Sequence, residues 1–342
     1  MVDISVNLEI HFVLNVQLIK FVYIKIKMSK KILGVGNAIV DVFVKVDDDF
    51  LLKNSLTKSS MKLLEKEEFE NLKNTIKIEK IEAGGSVANT MAGIAYLGGH
   101  PSFIGKVNSD EFGKIYKKSL EKINVNFLYP EKKENLSTGA SIIFITPDSE
   151  RTMCTYLGIS SKLAKTDINE DHINNCEIIF LEGYLWDKGI SEEMFKHVIS
   201  LAKKNKIKVA MSLSDIFCVT RHRKDFLKLL KNDLNILLGN ENEINELMQK
   251  NNLLDSINEL KNIDKLIIIT RSENGSIAVL NNVITNCEST KVEKVLDLTG
   301  AGDLFAAGFL KEYLDGSNIK KCLQTGSKLA AQVIQKIGAR LN

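Results

Sequence analysis

Residues 297–310 read DLTGAGDLFAAGFL, and the first half of this stretch holds residue types that an ordinary helix start avoids. Ala306, Ala307, Phe309 and Leu310 make the buried side of a helix, but Gly300, Ala301 and Gly302 do not, and glycine in a first turn costs stability relative to alanine. Small residues at a helix N-terminus bare unpaired backbone N–H groups, to which the helix dipole adds partial positive charge. That combination suits an anion such as phosphate. Asp303 would repel a phosphate, so it makes sense as a base that takes a proton from a hydroxyl while that oxygen attacks phosphorus. A capping carboxylate with a packing GxG uses the same residue types, but Asp297 plus GAGD is longer than a cap requires.

Three further stretches carry groups of the same kind. In AGGSVANT (83–90), Gly84 and Gly85 let a ligand approach the backbone, and Asn89 projects one acceptor and two donors; a plain glycine-rich turn would read the same. GVGNAIVD (34–41) follows a strand, yet it lacks the third glycine of a dinucleotide fingerprint and no βαβ unit of the usual length follows. Asn37 and Asp41 there offer hydroxyl-binding groups at the end of a buried strand. In LLGNENE (237–243), Asn240 and Glu243 face the same way at a strand-to-helix junction, where they could hold waters on Mg²⁺ or form a capping box; the two residues fit both. The chain contains no GxxxxGK[ST] P-loop.

Short apolar runs separated by amphipathic segments must position these groups. The clearest strands are Ile32–Val35, Glu177–Leu181, Lys208–Ser212, Asn235–Leu238 and Lys265–Thr270, with helices expected over Ser191–Lys204, Arg223–Lys231 and Glu241–Lys250. This alternation predicts an α/β fold whose mostly parallel central sheet is covered on both faces. Two regions break the rhythm: VFVKV (42–46) with the acidic turn Asp47–Asp49, and the alternating runs Ala140–Thr146 and Arg151–Leu157 around Pro147–Glu150. Strands from about 42–60 and 124–158 are expected to build a small projecting sheet, a lid, or else to extend the edge of the main one.

Among 342 residues, 44% hydrophobic and 26% charged with a net charge of +3, nothing points to nucleic acid or a membrane as partner. Five cysteines without a CxxC pair support neither a zinc site nor a disulfide framework, which predicts reduced thiols and a cytoplasmic protein. Residues 1–27 are apolar but broken by Glu9, His11, Gln17 and Lys20, too interrupted for a span or a signal peptide. MSKKILGVGNAIVDV, from Met28, looks like a natural beginning, so residues 1–27 are expected to be a non-native or disordered extension before a single domain over 28–342.

In this order, the four stretches resemble the ribokinase-like (PfkB) family of carbohydrate and nucleoside kinases from about residue 31 to the C-terminus, with DLTGAGD as the most specific signature. Within it, residues 46–69 and SLSDIF (212–217) followed by ILLGNENE look most like adenosine kinases. The resemblance implies a three-layer fold with a small β lid, and ATP-dependent phosphorylation of a nucleoside or sugar by a monomer or homodimer. On matching positions it implies Asp303 as base and Gly300, Ala301 and Gly302 as the anion hole. It implies Asn37, Asp41, Gly85 and Asn89 on substrate hydroxyls, and Arg151 reaching phosphate from the lid. Asn240, Thr270, Ser272 and Gly275 would lie along the nucleotide, Asn240 and Glu243 would organise Mg²⁺ through water, and adenine of ATP would pack around residues 330–334. Ser272 and Glu273 depart from the glycine-containing turn of many relatives. A monovalent cation such as K⁺ near Asp297 is common in the family.

Adenosine is the expected acceptor, with a free sugar or another nucleoside as the alternative. A catalytically silent binding protein on the same fold is weighed against both, but Asp303, Asn240, Glu243 and Arg151 are all present. A nicotinamide-dependent dehydrogenase rests only on GVG at 34–36. Phe43, Phe144 and Tyr156 are expected either to stack on adenine or to form the core of the small sheet.

Overall fold

A strand covered on both faces has no side for polar residues, and runs such as LIIIT (266–270) therefore build the centre of the molecule. The computed structural model describes residues 31–341 apart from 149, 175, 189 and 190, so the expectation about residues 1–27 lies outside the described residues. In chain order the strands are β1 (Lys31–Val35), β2 (Ile39–Lys45), β3 (Met61–Leu63), β4 (Lys80–Ala83), β5 (His100–Ile104), β6 (Asn126–Phe127) and β7 (Gly139–Ile145). They continue with β8 (Arg151–Tyr156), β9 (Ile178–Glu182), β10 (Lys208–Ser212), β11 (Ile236–Asn240), β12 (Leu266–Thr270), β13 (Ser276–Leu280) and β14 (Val283–Cys287).

Among the described residues, one sheet runs in the order β14-β13-β12-β11-β10-β9-β1-β5-β6. It is parallel from β12 to β6, with β13 and β14 added antiparallel at one edge. The five strands expected from apolar runs are all in its parallel part, within two residues of their expected bounds. Alternate strand residues face two separate cores. Ile32, Phe180 and Ile268 point to the side covered by helices Ser86–Tyr96, Ala301–Leu314 and Ile319–Val333. Leu33, Ile179 and Ile267 point to the side covered by helices Ser191–Lys204, Ile216–Asn232, Glu241–Met248 and Leu253–Leu260. Helix Ile216–Asn232 begins earlier than the expected Arg223 because Asp215 Oδ1 accepts from Cys218 N at 2.6 Å and caps it; a non-helical His222 bends the helix within.

A second sheet has the order β3-β8-β7-β2-β4. Its β7–β8 hairpin is antiparallel, with Ile145 opposite Arg151, while β2 runs parallel to β7. The expected ranges need correction at both ends. Residues 48–53 form a helix, not sheet, because Asp47 Oδ1 accepts from Phe50 N at 2.8 Å and caps it. Lys80–Ala83 joins the second sheet instead, and Asn126–Phe127 pairs with β5 in the large one. Phe144 and Tyr156 are buried and pack on Phe50 and Phe69 at centroid distances of 5.3 and 5.6 Å, which makes them the core of the small sheet and not a platform for a base.

Helices Ser86–Tyr96 and Ala301–Leu314 meet where a side chain would not fit: a Cβ on Gly93 would lie 2.6 Å from Ala307 Cβ. This close approach brings the first turns of the two helices together. Among the described residues no disulfide forms, and no helix is long and apolar enough to cross a membrane.

Candidate active site

Gly300 precedes helix Ala301–Leu314 with φ of +78°, and a Cβ there would come within 2.6 Å of the Ala339 carbonyl oxygen, so only glycine is accommodated. The turn delivers Asp303 to the neighbouring helix start. Asp303 Oδ1 accepts from Ser86 Oγ at 2.6 Å and Oδ2 from Asn89 Nδ2 at 3.0 Å, while Thr90 Oγ1 donates to the Asp303 carbonyl oxygen at 3.1 Å. Burial raises the Asp303 pKa; the two hydrogen bonds and the Arg340 guanidinium work against that rise. The result is a fixed carboxylate more basic than an exposed aspartate, at the positive ends of two helices.

Gly85 starts the partner helix at φ +91°, where a Cβ would lie 2.3 Å from the Asn37 carbonyl oxygen. The loop and the helix are tied together by Glu182, at the end of β9 and 1% exposed: its Oε1 accepts from Asn37 N at 2.7 Å and its Oε2 from Val87 N at 3.1 Å. Burial pushes the Glu182 carboxyl up to about 7, against the two backbone donors. Asp41, on β2, is likewise pushed up to about 7 by burial, with Glu82 and Asp303 adding to the rise and Arg340 and Arg151 opposing it. Asn37, Asp41, Gly85 and Asn89 thus gather around Asp303.

Thr270, Ser272 and Gly275 lie elsewhere, on a cavity of about 500 Å³ that Ala301 and Gly302 enter from one helix and Ala330 and Ile334 from the next. Gly302 is exposed, and a Cβ on it would meet no protein atom within 4 Å, so the space beside this first turn is open. Ala301 N donates to Leu298 O at 3.2 Å, so of the expected anion-hole residues it is Gly302, beside the open space, whose N–H can meet a transferring phosphate, while the neighbouring Asp303 carboxylate can accept the proton of an attacking hydroxyl.

Asn240 and Glu243 line neither group. Asn240 Oδ1 accepts from Glu243 N at 2.9 Å, and the Glu243 carboxylate accepts from Asn240 N at 3.0 Å and Asn240 Nδ2 at 2.6 Å. This is a capping box; burial pushes Glu243 up to about 7. Asn240 nonetheless pairs with Thr270 across β11 and β12, which sets it one strand from the cavity. With the oxygens of Glu243 held by Asn240, and no cluster of three metal-ligating side chains among the described residues, the donor set fits Mg²⁺ only through water and phosphate.

Arg151, at the start of β8, is bound to Asp297, with Nη2 2.5 Å from Oδ2 and the guanidinium 5.6 Å from the centre of the Phe43 ring. The same carboxylate accepts from Thr299 N at 3.0 Å and Gly338 N at 2.7 Å. A monovalent cation near Asp297 would share that carboxylate with the Arg151 guanidinium and two backbone N–H groups. Neither Glu182 nor Arg340 was singled out from the sequence. A lone Glu closing the apolar run IIFLE was the available signal for Glu182; Arg340, whose Nε donates to Asn89 Oδ1 at 2.9 Å, lies 251 residues from its partner and had none.

The chain matches the family model of pfkB family carbohydrate kinases over residues 57–342. It is 27% identical over 262 residues to a 5-dehydro-2-deoxygluconokinase of Listeria innocua, covering 74% of this chain and 81% of that protein. Two solved structures, a probable sugar kinase from Rhizobium etli and an adenosine kinase from Sinorhizobium meliloti, each superpose with a TM-score of 0.85 at 35% identity. Each covers 92% of this chain and 96% of its own.

Proposed function

The chain belongs to the pfkB family of carbohydrate kinases, and from that premise we propose that it transfers the γ-phosphate of ATP to the 5′-hydroxyl of adenosine, giving AMP. The observation that carries a kinase mechanism is Asp303, held by Ser86 and Asn89 beside the open N-terminus at Gly302. Adenosine as acceptor is supported by residues 46–69 and 212–243 and by the likeness to the Sinorhizobium meliloti adenosine kinase. A sugar acceptor is the second reading, favoured by the likeness to the Listeria innocua sugar-acid kinase and the Rhizobium etli probable sugar kinase.

Asp303 accepts the hydroxyl proton as the new O–P bond forms and the bond from γ-phosphorus to the β–γ bridging oxygen breaks, releasing ADP. Asn37, Asp41, Gly85 and Asn89 orient the acceptor, and the N–H groups of Gly300 and Gly302 stabilise the equatorial oxygens, that of Ala301 being held by Leu298 O. Thr270, Ser272 and Gly275 bind along the nucleotide, whose adenine lies against Ala330 and Ile334. Bound Mg²⁺, held through water by Asn240 and Glu243, would neutralise phosphate charge. The small sheet serves as the lid, excluding water that would otherwise accept the phosphoryl group.

An ADP-release assay over adenosine, other nucleosides, ribose and fructose tests this, with Asp303→Asn as control. Adenosine is expected to give the highest kcat/KM, and the control to lose on the order of 10²–10⁴-fold in kcat. Turnover of a sugar with none of adenosine would overturn the nucleoside assignment, and wild-type turnover by Asp303→Asn would overturn the base.

A further inference from the structure

The C-terminal tail brings a cation to the reaction centre that none of the glycine-rich stretches accounts for. After helix Ile319–Val333 the chain turns at Gly338, with φ of +109°, and the Gly338 N–H is fixed on Asp297. Ala339 then packs against Gly300, so the residue that follows is held from the N-terminal side by two contacts. Arg340 Nε donates to Asn89 Oδ1 at 2.9 Å. That bond sets the Asn89 amide, oxygen toward Arg340 and nitrogen toward Asp303.

Nη2 of Arg340 is different: it is buried and has no hydrogen-bond partner. Asp41, Glu82, Asp303 and the Tyr116 hydroxyl surround the guanidinium closely enough for their fields to act on it, yet none reaches Nη2. A buried charged donor left without an acceptor is costly, and the donors that reach Asp303 and Asn89 directly, Ser86 Oγ, Asn89 Nδ2 and Arg340 Nε, all have their partners. The missing acceptor must come from outside the chain.

We propose that Arg340 binds the phosphate acceptor, Nη2 donating to one hydroxyl oxygen of a vicinal diol whose neighbouring hydroxyl donates to Asp41. A donor on the tail and an acceptor on β2, near enough for each to feel the other's charge, match the two adjacent oxygens of a furanose diol. The tail therefore selects ribosyl or related diol acceptors over deoxy ones. This rests on the kinase function proposed above.

Steady-state kinetics of Arg340→Gln and Arg340→Lys with adenosine, 2′-deoxyadenosine and 3′-deoxyadenosine test it, with thermal melting to show that each variant is folded. If wild-type turnover is confined to sugars, D-ribose and 2-deoxy-D-ribose take the place of the nucleosides. Arg340→Gln is expected to raise the acceptor KM by roughly tenfold or more, as for loss of a hydrogen bond to a charged donor, while the KM for ATP stays within about twofold. The wild-type preference for the diol over one deoxy analogue should collapse in the variant, and Arg340→Lys should recover part of it. An unchanged acceptor KM, or equal losses on diol and deoxy acceptors, would overturn the role of Arg340, the latter leaving it only as the residue that orients Asn89. A wild-type protein that phosphorylates none of these acceptors counts instead against the kinase function.

Discussion

Glu182 shows how one residue can hold the site without touching a substrate. Its two oxygens accept backbone N–H groups from the loop after β1 and from the first turn of helix Ser86–Tyr96, so it sets the distance between Asn37 and Asn89. Because burial raises its pKa to about 7 from the ordinary value of 4.5, the folded chain keeps a proton there that the unfolded chain loses. Stability from this group is therefore complete below about pH 4.5 and is lost as pH rises towards about 7. Glu182→Gln cannot titrate, and its amide N–H₂ meets one of the two donors, a mismatch worth about 1–3 kcal/mol. Melting curves of wild type and variant at about pH 5 and about pH 8 are expected to show the wild type more stable at both, with the gap narrowing at the higher pH. A gap that widens would mean that the folded protein prefers the ionised form.

At the scale of elements, the first turn of helix Ala301–Leu314 separates two uses of glycine. Gly300 is needed by the chain itself: its left-handed φ costs an L-residue about 1–2 kcal/mol, and its missing Cβ makes room for the Ala339 backbone. Gly302 has open space around it and is needed by nothing in the protein. Gly300→Ala is thus expected to lower Tm and activity together. Gly302→Ala should leave Tm equal or higher, since alanine gains roughly 0.5–1 kcal/mol in a helix, while raising the KM for ATP or lowering kcat. Wild-type kinetics in Gly302→Ala would sink the view that a ligand occupies this space. The same distinction explains what was legible in the sequence. Apolar runs and glycine-rich helix starts are local, so the parallel strands could be read from the pattern, whereas the grouping of Asn37, Gly85, Asn89 and Asp303 came from the family resemblance of their stretches. Glu182, Arg340 and the strand Lys80–Ala83 depend on partners far along the chain, and no periodicity records them.

Across the whole molecule, a single carboxylate gathers the small sheet, the loop before helix Ala301–Leu314 and the C-terminal tail. Asp297 receives Arg151 from β8, Thr299 N from its own loop and Gly338 N from the tail, and the ion pair is nearly closed to solvent, with side-chain exposures of 11% for Arg151 and 3% for Asp297. Its geometry resists opening, since breaking a buried pair leaves an uncompensated charge worth about 3–5 kcal/mol. Arg151 need not leave Asp297 to act on a phosphate, because its Nη1 is buried without a partner while Nη2 holds the pair. On the kinase function proposed above, with the small sheet as lid, one guanidinium would both hold the lid and supply positive charge where the γ-phosphate loses its bond. Arg151→Gln is expected to weaken both: kcat for the acceptor should fall on the order of a hundredfold, the scale of losing one stabilising donor at a reacting oxyanion. Amides of β7 and β8 should exchange with deuterium faster, because the sheet has lost its anchor. Water admitted under the loosened lid should raise the ratio of ADP released to acceptor phosphorylated. If Arg151→Gln loses turnover while exchange and coupling stay at wild-type values, Arg151 serves the phosphate alone and the lid is held elsewhere; if exchange rises while turnover is unchanged, it is only the latch.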